Sequence, residues 1–392
     1  MRVTPFGREL KRLRAEHGLT VRELSDRLGK SVGYVGKIEV QGEVPNATLI
    51  RKIAIVFGAD PTQLFEFAKR SVLAQASREI ELRYSSVKGT RGRGSEAPSE
   101  GEGERRMAVA VSLINMKGGV GKTTLAMQLA HAADTKDFKV LAVDLDPQSN
   151  LSQVLMGPRG YVEHLRADKP TIVQVFDEYV PASGTAGAPR PLDVSKVILK
   201  KVGYWSNSTL DLIPSRLELS RTLKNPTGKE RRLAKALAQI QKNYDLILID
   251  CAPTESILTD AAYFASRYVI VPIKPEYMAT IGLPLLARSL RGFHAENEDH
   301  EIEIAGLVFN HSSAYTAGPE GQRSIKDVTD FAGDEGWYVC ENQMKYSASY
   351  AKAAREATPL SRTSYARRDV IRGFESLKEE IFGIIGLVKV TV

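Results

Sequence analysis

The segment NMKGGVGKTT, residues 115–124, decides the fold of the larger part of the chain. An apolar run, AVAVSLI at 108–114, precedes it, and helix-forming residues follow from Leu125. A strand, a glycine-rich loop and a helix in this order form a cradle for phosphate groups. The glycines leave backbone N–H groups uncovered, and the helix N-terminus adds partial positive charge. We therefore predict a phosphate-binding loop at the edge of a doubly wound, mostly parallel α/β sheet.

Two side chains of the loop suit a nucleoside triphosphate and its metal ion. Lys122 can reach β- and γ-phosphate oxygens, and the Thr123 hydroxyl can ligate Mg²⁺. The ordinary pattern, GxxxxGK[ST], requires glycine at position 116, where this chain has methionine. The loop instead has the form KGGxGKT, with an additional lysine, Lys117, at its start.

Two later apolar runs end in carboxylates. The run KVLAVDLD at 139–146 ends with Asp144 and Asp146, which are two residues apart and would face the same side of a strand. The run YDLILID at 244–250 ends at Asp250. The carboxyl ends of parallel strands meet at the ligand site of a doubly wound sheet, so we expect these carboxylates near the loop. Carboxylates that are merely solvated at strand ends are the alternative.

These three segments resemble the deviant Walker A ATPases of the ParA/MinD class, and the resemblance extends over about residues 107–385. It implies ATP and Mg²⁺ as ligands and a homodimer in which Lys117 reaches the partner's nucleotide. It also implies that Asp146 positions the attacking water and supports Mg²⁺, and that Asp250 holds Mg²⁺ through water. Asn310, which ends the apolar run IAGLVFN at 304–310, matches the position at which relatives recognise adenine.

The resulting predictions can be stated residue by residue. The predicted ATP-binding residues are Lys117, Gly118, Gly119, Val120, Gly121, Lys122, Thr123, Thr124 and Asn310. The predicted metal ligands, direct or through water, are Thr123, Asp144, Asp146 and Asp250. The predicted catalytic residues are Lys117, Lys122 and Asp146.

Residues 1–84 have the pattern of short helices separated by glycines. A capping box at 20–23, TVRE, begins a second helix, and a three-residue turn follows it. Five short helices in this arrangement describe a helix-turn-helix DNA-binding domain. The run 64–84 is amphipathic; it could extend the fifth helix and pair two protomers, or it could be a plain packed helix.

The same segment resembles the Cro/C1-type repressor module. The resemblance implies a recognition helix over 31–39, with Ser31, Tyr34 and Lys37 facing the major groove. Gly33 and Gly36 lie in that helix and weaken it by about 1 kcal/mol each relative to alanine, so we expect weak base readout. A helical module used only for dimerisation is the alternative.

Between the two predicted domains, residues 85–106 are rich in Gly, Ser, Glu and Arg and almost free of aliphatic side chains. Such a segment cannot bury enough apolar surface to fold, so we predict a flexible linker before an ATPase domain over 107–392. The formal net charge of the chain is +7, and residues 1–106 carry six of these charges. A second basic zone lies at 345–372. Two basic zones suggest a polyanionic partner, although a solvated basic face is an equal alternative on charge alone.

The resemblance gives the second basic zone a role. In the ATP-bound dimer it would form a surface for non-specific DNA, and its predicted DNA-binding residues are Lys345, Lys352, Arg355, Arg367, Arg368 and Arg372. The apolar tail at 379–392 is poor in basic residues and is interrupted by two glycines, unlike the membrane helix of MinD-like proteins. The two cysteines, Cys251 and Cys340, exclude a disulfide framework and fit a reducing cytosol.

Together these features indicate a cytoplasmic, nucleoid-associated DNA-partition ATPase. The resemblance implies slow ATP hydrolysis, stimulated by DNA and by a ParB-like centromere-binding partner, with no membrane partner. The N-terminal domain would bind operator-like DNA and could repress its own operon. The alternative is a transcription regulator that uses ATP only as a ligand.

Overall fold

The computed structural model describes residues 4–41, 43–45, 47–60, 63–64, 67–68, 71, 107–177, 192–277, 279–310 and 318–387. The chain divides into two compact units, one formed mainly by residues before Gly103 and the other by those after it. The predicted linker at 85–106 and most of the amphipathic run at 64–84 lie outside the described residues. The boundaries of the two predicted domains therefore stay predictions.

The described part of the N-terminal unit contains α1 (Pro5–Glu16), α2 (Val21–Leu28), α3 (Val32–Gly36) and α4 (Ala47–Phe57), and the described residues at 63–64, 67–68 and 71 are helical as well. The capping box at the start of α2 is present, with Thr20 and Glu23 each bonded to the other's backbone N–H. Large apolar side chains form the core of this unit, among them Phe6, Leu10, Leu24, Leu28, Ile38 and Ile53. The start of the predicted fifth helix, at 61–62, lies outside the described residues.

The predicted single recognition helix over 31–39 differs in the structure. The α-helix ends at Gly36 and continues as a π-helical turn, Lys37–Gln41. This turn places both Ile38 and Glu39 in the core, where the Glu39 carboxylate accepts hydrogen bonds from Arg14 at 2.6 and 2.9 Å. Two glycines in the preceding turn give the α-helix little intrinsic stability, so the packing of the following residues determines where the α-helix ends.

Six strands form one sheet in the large unit: β1 (Val109–Leu113), β2 (Val140–Leu145), β3 (Leu210–Ile213), β4 (Leu246–Cys251), β5 (Tyr268–Ile273) and β6 (Glu303–Phe309). Every neighbouring pair is parallel, and the order is β3-β2-β4-β1-β5-β6. Strands β2, β3 and β4 are buried along their whole length, as expected for a sheet covered on both faces. This confirms the predicted fold class.

Ten α-helices accompany the described part of this sheet. They are α5 (Lys122–Asp134), α6 (Asn150–Arg166), α7 (Val173–Phe176), α8 (Ser220–Lys224), α9 (Arg232–Ala238), α10 (Ile257–Ala265), α11 (Ala279–Glu296), α12 (Pro319–Glu335), α13 (Ala348–Glu356) and α14 (Arg368–Ile384). One core cluster includes Leu237, Leu258 and Leu283 of α9, α10 and α11. The other includes Leu125, Leu151 and Phe374 of α5, α6 and α14, so helices cover both faces of the sheet. Among the described residues, no helix is both long and apolar enough to cross a membrane.

Candidate active site

The glycine-rich loop joins β1 to the first residue of α5, as predicted. Gly119 and Gly121 have φ values of 71° and 97°, in the left-handed region that side chains with a Cβ rarely adopt. Gly121 also lies against Asn310, so closely that a Cβ at position 121 would be 2.1 Å from Asn310 Nδ2. Two of the glycines are therefore required by backbone conformation, and one of them by close approach as well.

The Lys122 side chain is folded into this loop. Its Nζ donates to the backbone carbonyls of Asn115 at 3.1 Å and of Lys117 at 3.2 Å. The side chain is buried, and burial lowers the pKa of Lys122, although the nearby Asp250 opposes this effect. A buried ammonium group bonded only to neutral carbonyls can exchange them for phosphate oxygens with a large gain in electrostatic energy.

Thr123 and Asp250 meet across the site from α5 and β4. The Thr123 hydroxyl donates to Asp250 Oδ2 at 2.6 Å. The other oxygen, Oδ1, is buried and has no hydrogen-bond partner among the described residues. Burial, together with the charges of Asp144 and Asp146, raises the pKa of Asp250 well above its usual range. A buried carboxylate oxygen without a donor fits a site that receives a cation or its bound water.

Asp144 lies near the end of β2 and Asp146 directly after it; both are buried, but they have different partners. Asp144 Oδ2 accepts from the Ser152 backbone at 2.7 Å and from the Ser152 hydroxyl at 2.6 Å, and Oδ1 accepts from the Asp146 backbone at 3.2 Å. Burial raises the pKa of Asp144 to about 7. Ligation by Asp144 would require exchange of these bonds, so its assignment as a metal ligand stays a prediction. Asp146 Oδ1 accepts from the Gln148 backbone at 2.8 Å.

The carboxylates do not converge on one point. The described residues contain no group of three His, Cys, Asp or Glu side chains placed to hold a metal ion together. A divalent ion at Thr123 and Asp250 would therefore complete its shell with phosphate oxygens and water, which is the usual arrangement for Mg²⁺.

Lys117 is held by partners that sequence reasoning missed. Its backbone N–H donates to Asn115 Oδ1 at 2.9 Å, and its Nζ lies 2.7 Å from Glu276 Oε2. Glu276 follows the carboxyl end of β5 by three residues. The strand-end argument that selected Asp250 would also have selected Glu276.

Asn310 follows β6 directly, at the same edge of the sheet. Its Nδ2 donates to the carbonyl of Val120 at 2.8 Å, so the amide supports the glycine-rich loop from the side. Residues 311–317, which follow it, lie outside the described residues. The predicted contact with adenine stays a prediction.

The three residues predicted to face the major groove differ in exposure. Ser31 uses its hydroxyl to cap α3, accepting from the Tyr34 backbone at 3.3 Å. Tyr34 is half-buried, and burial together with Glu43 raises the pKa of its hydroxyl. Lys37 is exposed. Ser31 is exposed as well, and of the two exposed residues Lys37 is the one that carries a positive charge.

The second basic zone, 345–372, comprises α13, the segments on either side of it and the first residues of α14. Five of its predicted DNA-binding residues are exposed: Lys345, Arg355, Arg367, Arg368 and Arg372. Lys352 lies 4.0 Å from the ring centroid of Tyr365, a residue that is 90% exposed. Arg367 pairs with Asp369 at 2.8 Å, so part of the positive charge is neutralised within the zone.

A loop with two required glycines, a buried lysine at the start of a helix and a buried aspartate on the facing strand define the large unit as a P-loop ATPase domain. A family model described as "AAA domain" matches residues 108–304, and one described as "Helix-turn-helix" matches residues 10–64. The comparisons with individual proteins agree with the ATPase assignment.

The chain is 30% identical over 277 residues to the chromosome-partitioning ATPase Soj of Treponema pallidum, covering 70% of this chain and 97% of that protein. It is 32% identical over 229 residues to the sporulation initiation inhibitor protein Soj of Bacillus subtilis, covering 58% and 82%. It therefore belongs to the ParA-type partition ATPases and carries a helix-turn-helix domain at its N-terminal end.

Two solved structures share the fold at low sequence identity. The apo form of McdA from Cyanothece has a TM-score of 0.56 at 19% identity, covering 70% of this chain and 99% of that one. A putative plasmid partition protein from Borrelia burgdorferi, bound to AMPPNP, has a TM-score of 0.52 at 21% identity, covering 71% and 99%.

Proposed function

We propose that this protein is a DNA-segregation ATPase that works as a switch. ATP binding closes a homodimer, the closed dimer binds DNA without sequence preference, and hydrolysis reopens it. The N-terminal domain adds a second contact with DNA, directed to an operator-like sequence. This assignment is supported by the relatives named as partition proteins and by the site itself.

The observation that carries the proposal is the set of partners inside the loop. Lys122 is bonded to two carbonyls and Thr123 to Asp250, and both can exchange these partners for a triphosphate and its metal ion. The unbonded oxygen of Asp250 gives the metal's water shell an acceptor. We place Mg²⁺ at Thr123 and, through water, at Asp250 and Asp146. When bound, Mg²⁺ neutralises charge that develops on the transferring phosphoryl group.

The remaining steps belong to the protein's own side chains. Lys117 crosses to the partner's nucleotide and adds positive charge there, and Asp146 orients the attacking water. Preorganised charge at the transferring group supplies most of the rate in phosphoryl transfer. Because two copies of the chain must associate before either active site is complete, ATP turnover is slow and depends on dimerisation.

The DNA contacts follow from charge and exposure. The exposed arginines and lysines of 345–372 would bind phosphates of any duplex, with strong dependence on salt. The helix-turn-helix domain would recognise an operator-like sequence weakly, because its recognition helix presents two glycines. A ParB-like centromere-binding protein is the partner that would stimulate hydrolysis, and repression of its own operon is the function of the N-terminal contact.

The helix-turn-helix domain also favours a second candidate, a transcription regulator that uses ATP only as a ligand. The two candidates differ in hydrolysis. Steady-state ATPase rates of the full chain should rise severalfold with random-sequence duplex DNA and again with the centromere-binding partner. A chain that binds ATP but hydrolyses none under any of these conditions would instead be the regulator.

A further inference from the structure

The ion pair between Lys117 and Glu276 joins two residues that the fold holds at one strand end. Asn115 bonds to the backbone of Lys117 at 2.9 Å and to the carbonyl of Pro272, in β5, at 2.8 Å. Glu276 lies on the segment that leaves the same strand. The backbones of both partners are therefore tied to the end of β5, and the pair needs little ordering of the chain to form.

The pair is also free to separate. The Lys117 side chain is 29% exposed and that of Glu276 is 44% exposed. Separation therefore leaves neither charge buried without a partner, a situation that would be strongly unfavourable. The two groups can therefore change partners at low cost.

The proposed function places Lys117 on the nucleotide of a second copy, and one ammonium group cannot occupy both positions. Next to Glu276, the first turns of α11 expose two apolar side chains, Ile281 and Leu285, each 48% exposed. They are four residues apart on the helix and so face the same way. A second copy covering them would bind to the helix that begins three residues after Glu276.

We propose that Glu276 is a latch, a positioning residue that holds Lys117 within its own chain until ATP brings in the second copy. This inference rests on the proposed function. A triphosphate with several negative charges outcompetes one carboxylate for the lysine, so ATP opens the latch. Without nucleotide the carboxylate keeps the lysine from supporting closure.

The size of the effect follows from the exposure of the pair. An ion pair of this kind contributes a factor of up to about fivefold to an equilibrium. Removing the carboxylate should lower the ATP concentration for half-maximal dimerisation by about two- to fivefold. ATP affinity of the dilute, monomeric chain should not change, since Glu276 holds neither Lys122 nor Thr123.

The test is sedimentation velocity of the full chain with Glu276→Gln over a range of ATP concentrations. The matched control is Glu303→Gln, which removes an exposed carboxylate paired with Arg267 at 3.0 Å. Glu303 is the first residue of β6, so it lies at the amino ends of the parallel strands, whereas the loop lies at their carboxyl ends.

We expect the ATP dependence to shift in Glu276→Gln alone. An unchanged dependence, or weaker dimerisation than in the unaltered chain, would overturn the latch; the weaker result would mean that Glu276 contributes to the closed dimer instead. If the unaltered chain does not dimerise with ATP at all, the proposed function fails and the latch with it, and that outcome differs from a failure of the latch alone.

Discussion

The phosphate-binding loop and the recognition helix both contain closely spaced glycines, but the two regions use them differently. In the loop, Gly119 and Gly121 have left-handed φ values, and Gly121 is packed against Asn310. In the recognition helix, neither Gly33 nor Gly36 has a positive φ, and a Cβ at either would meet nothing within 4 Å. The backbone requires the first pair and not the second. The missing side chains are therefore needed to form the phosphate-binding loop. In the recognition helix they only leave two surface positions without a side chain.

The largest expected effect lies in the loop. Lys122→Ala should lower ATP affinity by more than about a hundredfold, because the β- and γ-phosphates lose the buried ammonium group that is bonded inside the loop. Isothermal titration with ATP and Mg²⁺ measures the change. Lys136→Ala, just beyond the other end of α5 and paired with Glu379 at 2.7 Å, is the control and should bind normally. Near-normal affinity in Lys122→Ala would mean that the site is wrongly placed.

The second prediction tests the required glycine. Gly121→Ala must adopt a strained φ and push Asn310 away from Val120, at a cost of about 1–3 kcal/mol. We expect a lower melting temperature and at least tenfold weaker ATP binding. A variant that melts and binds like the unaltered chain would show that the loop adapts easily and that the comparison with the recognition helix does not hold.

The third prediction concerns the basic zone. Replacing Arg367, Arg368 and Arg372 together by Glu should abolish ATP-dependent binding to random duplex DNA, while ATP binding and the melting temperature stay the same. Each lost phosphate contact should reduce the salt slope by about 0.9. The control replaces Arg166, Lys169 and Lys196, which are also exposed, by Glu. Equal loss of DNA affinity in both triple variants would indicate a general charge effect without a defined DNA surface.

The smallest expected effect lies in the recognition helix. Gly33→Ala and Gly36→Ala should each stabilise the helix by about 1 kcal/mol, because alanine favours a helix and both positions have open space. Hydrogen exchange of the backbone at 31–41 in the full chain measures this gain. Faster exchange in these variants would show that the glycines serve a conformation other than the helix described here.

The sequence alone was sufficient to predict the features that depend on a local pattern of residues. The apolar runs and the glycine-rich segment predicted the sheet and the loop. The position of Asp250 at the end of a strand predicted that it would lie near the loop, where it bonds to Thr123. It missed contacts that join distant residues: Lys117 with Glu276 and Val120 with Asn310 are 159 and 190 positions apart. It also missed the bond from Ser152 to Asp144, because a serine in the first turn of the next helix, eight residues further along the chain, carries no signal of its partner. The change from α to π geometry at Lys37 was decided by core packing, which periodicity does not show.

The central claim is that ATP closes a dimer through Lys117, and one measurement tests it most directly. Sedimentation velocity compares the unaltered chain, Asp146→Ala and Lys117→Ala with ATP and with ADP. The unaltered chain should dimerise with ATP and not with ADP, and Asp146→Ala should remain dimeric because it cannot hydrolyse the ATP it binds. Lys117→Ala should bind ATP and stay monomeric. If Lys117→Ala dimerises with ATP and hydrolyses it as fast as the unaltered chain, the claim that Lys117 acts across the dimer is wrong.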